Sequence, residues 1–373
     1  MQFAPQQDEA LKAVARWLKE GRSPVFRLFG YAGTGKTTLA KHFAEHVDGD
    51  VLFAAFTGKA AQVLRARGAR NAKTIHSLIY RPRGEEAVED EAGKTSISPM
   101  FSINRQSPVA KAALIIIDEC SMVDDALGKD LMSFGTPILV LGDPGQLPPV
   151  SGGGFFTEQE PDYLLTDIHR QARDNPIIQL AMNVREGKEI MHGDYGTAKV
   201  ISRNEVTQPL VMEADQVLVG TNKTRKRYNQ RLRELKGFTA DYPQSGDKLV
   251  CLRNDQVKGL LNGSLWQVMS SSRETVKPGI NLMIRPEDDD MDRGASKIKL
   301  LKQAFETEEE IPWTTRKRYD EFDYGYALTV HKAQGSQWNN VVLFDESWAF
   351  RDTRERWLYT AITRAAETLT IVR

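Results

Sequence analysis

The chain has 373 residues, 40% of them hydrophobic, enough for about two or three domains with ordinary cores. Its 50 Lys and Arg balance 50 Asp and Glu, so bulk charge announces no nucleic-acid partner and any basic footprint must be local. Two scattered cysteines, Cys120 and Cys251, exclude a disulfide scaffold, fit a reducing compartment and leave no Cys/His group with zinc spacing.

The first residues, Met1 to Gln7, lack a charged segment followed by an apolar run, so no signal peptide is expected. No apolar stretch approaches the ~20 residues of a membrane span. A soluble, cytoplasmic protein with no membrane partner is expected.

Val25–Phe29 reads as a buried strand and Thr38–Phe43 opens a helix. Between them Gly30-Tyr-Ala-Gly33-Thr34-Gly35-Lys36-Thr37-Thr38 fits G-x-x-x-x-G-K-[ST]. Glycines let the backbone curl with its N–H groups inward, and the helix N-terminus adds a positive end. Gly33 to Thr38 would then wrap a nucleoside triphosphate. Lys36 would reach the β- and γ-phosphates, and the Thr37 hydroxyl would hold Mg²⁺. The alternative is a glycine-rich loop matching by chance, against which the strand–loop–helix setting argues.

The next expected strands are Val51–Phe56, Leu114–Ile117 and Ile138–Leu141, the rhythm of a parallel sheet with crossover helices. The stretch 81–107 interrupts them, acidic first and then Thr95 to Asn104. It reads as an insertion, either a small hairpin or a mobile loop. Leu114–Ile117 ends in Asp118-Glu119, where strand ends of parallel sheets project into a ligand crevice. Asp118 would bind Mg²⁺ and Glu119 would polarise an attacking water. Ile138–Leu141 leads into Gly142-Asp-Pro-Gly-Gln146-Leu-Pro-Pro. Gln146 could reach the γ-phosphate, although Asp-Pro-Gly is also simply a good turn.

A second α/β region starts near Pro161, with strands expected at Val217–Val219, Tyr326–Val330, Val341–Phe344 and Leu369–Val372. The stretch 246–319 interrupts it with β-like runs at Lys248–Leu252, Ser264–Met269 and Gly279–Ile284, which suit a small β-barrel better than helices. The expected organisation is a first lobe over 1–80 and 108–160, an insertion over 81–107, a second lobe over 161–245 and 320–373, and an insertion over 246–319. The basic segment Lys223 to Arg233 would contact phosphates or form an ordinary solvated helix face. Thr329 to Ser336 reads as a ligand-contacting turn or a helix cap. An arginine offered across a cleft can neutralise charge on a γ-phosphate, but residue physics alone does not select Arg170 or Arg364.

Taken in order, these stretches resemble the motifs of superfamily-1 helicases, most closely the RecD/Dda-like branch. Gln7-Asp-Glu-Ala resembles the motif that reads adenine, Gly30 to Thr37 motif I, Phe56 to Ala61 motif Ia, and Thr74-Ile-His76-Ser a further DNA-contacting motif. Asp118 to Met122 resembles motif II, Gly142 to Pro149 motif III, Arg170 the arginine of motif IV, Thr329 to Ser336 motif V, and Tyr359 to Arg364 motif VI. The resemblance covers nearly the whole chain outside the two insertions. It implies an α/β fold of two RecA-like lobes, ATP and Mg²⁺ in the cleft between them, and single-stranded DNA across both. It makes Lys36, Glu119, Gln146, Arg170 and Arg364 catalytic, and Gly335 and Gln337 nucleotide contacts. Thr57, Lys59 and His76 would grip DNA on the first lobe, and Asn222, His331 and Lys332 on the second. It makes the first insertion a strand-separating hairpin with Phe101 near its tip, and the second an SH3-like barrel.

The implied activity is a DNA-dependent ATPase that moves 5′ to 3′ and unwinds duplex at single-strand/double-strand junctions. Such a protein would act as a monomer in a bacterial or phage setting, with replication or recombination proteins as partners. The chain departs from the family in having Gln337 where an acidic ribose ligand is common, Ala366 for a basic residue and Cys120 for alanine. Other readings are a translocase without strand separation, a nucleotide-switched DNA-binding subunit of a repair complex, and, on generic physics, a P-loop small-molecule kinase. RNA in place of DNA stays open, because stacking is indifferent to the 2′-hydroxyl.

Overall fold

The computed structural model describes residues 3–89, 95–148, 154–168, 173–255, 258–271, 278–287, 295–307 and 311–373. Arg170 and the side chain of Phe101 lie outside the described residues.

The first part of the chain runs through α1 (Pro5–Glu20), β1 (Val25–Gly30), α2 (Lys36–Ala44), β2 (Val51–Ala55), α3 (Gly58–Ala66), β3 (Lys73–Thr74) and α4 (Ile75–Ile79). The hairpin strands β4 (Tyr80–Glu89) and β5 (Thr95–Ile103) follow, then β6 (Leu114–Asp118), α5 (Asp125–Met132), β7 (Ile138–Gly142) and β8 (Tyr163–Leu165). Six of these strands form a parallel sheet in the order β3-β2-β6-β7-β1-β8. Its central strands are unbroken aliphatic runs because both faces are covered. Phe26, Leu28, Ile116, Leu139 and Leu141 pack on one face with Ala10, Leu39 and Leu64 from α1 to α3. Val25, Phe29, Ile115, Ile117, Ile138 and Val140 pack on the other with Leu78, Leu127 and Leu131 from α4 and α5. The alternation follows the two-residue period of a strand. Pro5 at its first turn and Gly21 in left-handed conformation after its last delimit α1.

The second part holds α6 (Pro176–Arg185), β9 (Gly193–Asp194), β10 (Ala198–Ile201), β11 (Gln216–Val219) and α7 (Asn222–Leu235). Next come β12 (Lys248–Cys251), β13 (Leu265–Ser271), β14 (Gly279–Pro286), β15 (Ser296–Leu301) and β16 (Phe322–Tyr324). The chain ends with β17 (Ala327–Thr329), β18 (Trp338–Phe344), α8 (Arg354–Ile362) and β19 (Ala365–Val372). The second sheet has the order β17-β11-β18-β19-β10-β9, parallel except for β9. The two α/β sheets make two RecA-like lobes.

Two smaller sheets interrupt the lobes. In the first, β4 and β5 pair from Tyr80 opposite Ile103 to Glu89 opposite Thr95. In the second, an antiparallel sheet of order β15-β14-β13-β12-β16 closes over Trp266, Ile280, Ile284 and Phe322. Domain limits differ slightly from those read off the sequence. Tyr163–Leu165 pairs with β1, so the first sheet continues past the expected boundary at 160. Phe322–Tyr324 pairs with β12, so the inserted sheet continues past 319. Both strands have only three residues, too short for a sequence pattern to mark. Among the described residues no helix is long and apolar enough to cross a membrane.

Candidate functional site

The loop after β1 turns through Gly33 and Gly35, at φ 80° and 83°, and delivers the chain to the N-terminus of α2. Side chains pay a steric penalty in that left-handed region and glycine does not. A Cβ on Gly30 would lie 2.6 Å from Thr34 Oγ1 and 2.8 Å from Leu165 Cβ, so bare backbone is needed there too. Lys36 Nζ donates to the carbonyls of Gly30 (2.6 Å) and Tyr31 (3.0 Å). Gln7 is buried and donates to Thr34 O at 3.0 Å, while its Oε1 accepts from Ala4 N at 3.1 Å. In this conformation its amide braces the loop and caps its own helix. The neighbouring Gln6 clamps the chain beyond β8, its Oε1 accepting from the N–H groups of Thr166 and Asp167.

Thr37 Oγ1 donates to Asp118 Oδ2 at 3.0 Å. A hydroxyl beside a carboxylate, at the head of a helix, is the hard oxygen donor set that suits Mg²⁺. Burial, with the charge of Glu119 adding, pushes Asp118 up to about 6, against the pull of Lys36 and Thr37. Glu119 takes φ 54°, ψ 48°, left-handed for a residue with a side chain. Such strain concentrates at functional sites, and here it turns the strand end sharply beside Asp118.

The turn after β7 is gripped by the second lobe. Tyr359 on α8 is 1% exposed; its hydroxyl donates to Asp143 Oδ2 at 2.8 Å and accepts from Ala32 N at 2.9 Å. One hydroxyl thus joins the phosphate loop, the turn holding Gln146 and the second lobe. Leu147 N donates to Thr360 Oγ1 (2.9 Å), and Gln334 Nε2 donates to Leu147 O (3.0 Å). A Cβ on Gly145 would lie 2.9 Å from the Tyr359 ring. Burial pushes Asp143 up, opposed by Lys36 and by the bonds from Tyr359 and Gly145. Gln146 is buried and its Oε1 has no partner among the described residues, a gap a ligand or water completes. Tyr359→Phe would strand Asp143 and Ala32 with one partner fewer, and we expect it to lower unfolding free energy by about 1–3 kcal/mol. Urea denaturation measures this; an unchanged midpoint would mean that the bridge holds nothing together.

Arg364 is 3% exposed and turned into its own lobe. It donates to Thr360 O (3.0 Å), Ser336 O (3.2 Å) and Thr363 Oγ1 (3.1 Å), all neutral acceptors. A different arginine meets the phosphate loop: Arg185, ending α6, lays its guanidinium 3.7 Å over the Tyr31 ring. Gln337 Oε1 accepts from Arg67 of the first lobe at 2.7 Å. Gly335, at φ 75°, abuts α3: a Cβ there would lie 2.9 Å from Ala60 Cβ. Both residues therefore stand at the lobe–lobe seam.

The expected DNA-gripping residues fall into two sets. Thr57 caps α3 by accepting from Ala60 N at 3.1 Å, and Lys59 is buried. His76 is exposed with its ring between Phe56 and Tyr80, and Asn222, at the first turn of α7, is exposed. His331 is half-buried against Phe350, and Lys332 is exposed. Packing against neighbouring aromatic rings desolvates the imidazoles of His76 and His331 and lowers both below the ordinary histidine value, for His76 against the pull of Asp124, so at neutral pH they offer rings and hydrogen bonds rather than charge. The basic segment is divided. Arg225 pairs with Asp323 (2.6 Å), and Arg233 with the fully buried Asp247 (2.9 Å), to which Tyr326 also donates at 2.9 Å. Those two arginines tie the second lobe to the inserted sheet, while Lys223, Lys226, Arg227 and Arg231 face solvent.

Sequence reasoning assigned no role to Tyr359, Asp143 or Arg185. No local spacing marks the tyrosine bridge, because its partners lie 216 and 327 residues away.

Two RecA-like lobes, with a phosphate loop on one and Tyr359 and Arg185 of the other closing on it, define a two-lobed P-loop NTPase. Residues 2–205 match the family described as AAA domain, and residues 324–372 the UvrD-like helicase C-terminal domain. The chain belongs to the AAA-domain family, and the proteins it is similar to include helicases of the RecD2 and Pif1 kind. The ATP-dependent RecD2 DNA helicase of Deinococcus radiodurans is 30% identical, over 91% of this chain and 46% of that protein. Conjugal transfer protein TraA of Rhizobium radiobacter is 24% identical over 98% of this chain and 32% of that protein. The chain thus spans less than half the length of these curated relatives. Bacteroides Pif1 bound to single-stranded DNA superposes with a TM-score of 0.59 at 20% identity, over 100% of this chain and 92% of that one. Pif1 of Candida albicans gives 0.57 at 18% identity, over 100% and 94%.

Proposed function

We propose that the chain is an ATP- and Mg²⁺-dependent motor that moves along single-stranded DNA, 5′ to 3′, and separates strands at junctions with duplex. The observation that carries this is the seam itself. The residues that would hold the triphosphate and those that would hold the strand are joined across it through Tyr359, Gln334 and Gln337. A motor needs that coupling, because nucleotide-dependent closure of the cleft must change the grip on the strand.

Thr37 and Asp118 would hold Mg²⁺, which when bound offsets phosphate charge. Lys36 would leave its two carbonyls for the phosphates, Glu119 would orient water, and Gln146 would complete its amide there. Arg364 and Arg170 would supply positive charge from the second lobe. His76, Asn222, His331 and Lys332 would hold the strand. Thr57 and Lys59 would join them as the lobes shift, and the hairpin with Phe101 would meet the duplex. We place this motor in a bacterial or phage cytoplasm, as a monomer working with replication or recombination proteins.

The test is steady-state ATP hydrolysis with and without single-stranded DNA or RNA, followed by unwinding of forked duplexes with either tail polarity. Strong stimulation by DNA and unwinding from the 5′ tail are expected. No stimulation by either nucleic acid would overturn the motor reading.

A further inference from the structure

Trp348 is 68% exposed, the most exposed large apolar side chain among the described residues. It stands in the 3₁₀ segment Ser347–Thr353, which follows β18 and is broken by Arg351 at φ 34°, ψ −105°. The loop is fixed on both sides of it. On one side the Glu346 carboxylate accepts from Gly220 N (2.7 Å), Thr221 N (3.1 Å) and the Thr224 hydroxyl (2.6 Å). On the other, Phe350 stacks on Trp357 at 5.2 Å and 12°, and its ring lies 5.4 Å from that of His331. Phe350, two residues on, packs against the core, whereas Trp348 is held outward on an anchored and strained loop. Strain of this kind persists where function retains it.

The topology places that loop. The neighbours β17, β11 and β18 are parallel, so their C-terminal ends line one edge of the sheet. From that edge emerge, in order, His331–Lys332, Thr221–Asn222 and the Trp348 loop. Lys223, Lys332 and Arg351 are exposed there, and Lys223 and Arg351 have no carboxylate partner among the described residues. A flat exposed ring on the same sheet edge as these exposed cations matches a chain of bases and phosphates: rings stack on bases whatever their sequence, and cations take the backbone.

We propose that Trp348 is a base-stacking site for single-stranded nucleic acid, extending the strand's path across the second lobe beyond Asn222 and His331. This rests on the single-strand reading above. Trp348→Ala and Trp348→Phe in the full chain test it, with labelled oligo-dT binding measured by anisotropy and the DNA concentration that half-stimulates ATP hydrolysis measured alongside. Trp348→Ala is expected to weaken both by about 5- to 100-fold, and Trp348→Phe to restore most of the loss. Hydrolysis without DNA and the melting temperature should not change, since the side chain is exposed. If the wild type binds and responds to oligo-dT and Trp348→Ala equals it, the proposal is wrong and the ring serves a protein partner instead. If the wild type itself neither binds nor responds, the proposal falls together with the motor reading, and no variant then differs from its parent.

Discussion

Lys36→Ala is expected to lower ATP hydrolysis by about 10²–10³-fold, the scale for removing one fixed donor from developing transition-state charge. The side chain is partly buried, and its two partners are carbonyl oxygens of its own loop. Those bonds do little for the fold, so the melting temperature should stay close to that of the wild type. The loop's shape is set instead by Gly33 and Gly35 and by the brace from Gln7 to Thr34. The loss should therefore fall on chemistry and nucleotide affinity. Lys36→Arg should not rescue it, because a planar guanidinium fork does not replace a compact ammonium in a backbone cradle. The measurement is steady-state hydrolysis at saturating single-stranded DNA, with melting as the control for folding. A variant within tenfold of the wild type would remove the phosphate-loop assignment.

Arg364→Ala is expected to cost more, about 10³–10⁵-fold in turnover, the range for an arginine that neutralises a transferring phosphoryl group. The starting point is unusual for such a residue. Its guanidinium is buried among Thr360 O, Ser336 O and Thr363 Oγ1, with no carboxylate partner among the described residues. A buried cation held by neutral dipoles is poorly compensated, and a phosphate arriving across the cleft offers it a better partner. Two effects must then be told apart. A residue acting on phosphate lowers turnover while leaving binding of a non-hydrolysable nucleotide within about tenfold. A residue that only props Ser336 and Thr360 lowers the melting temperature and weakens binding in parallel. The first pattern supports the assignment, and the second would reduce Arg364 to scaffolding.

Much of the first lobe was legible because its signals are local. A phosphate loop is a strand, a run of glycines and a helix start, all set by short-range backbone sterics. The strands ending in Asp118 and Gly142 announce themselves as aliphatic runs covered on both faces. Less legible were strands with little pattern of their own. Tyr163–Leu165 and Phe322–Tyr324 are strands because a neighbour offers an open edge, and they moved both boundaries. The basic segment Lys223 to Arg233 was legible only in part: Lys223, Lys226, Arg227 and Arg231 face solvent. Two of its arginines carry buried ion pairs, since Asp323 and Asp247 meet them only once the inserted sheet is built.

The residues by themselves determined the α/β class, the strand–loop–helix around Gly30 to Thr38, and the strand that ends in Asp118. Each depends on chain geometry over a few residues or on strand ends that a parallel sheet brings to one edge. Tertiary structure alone decided that Tyr359 bridges the lobes, that Arg185 rather than Arg364 covers the phosphate loop, and that Gln337 bonds Arg67. Those contacts join residues far apart in sequence. They exist only where two lobes, each folded on its own core, come to rest against one another, and no local pattern encodes that juxtaposition.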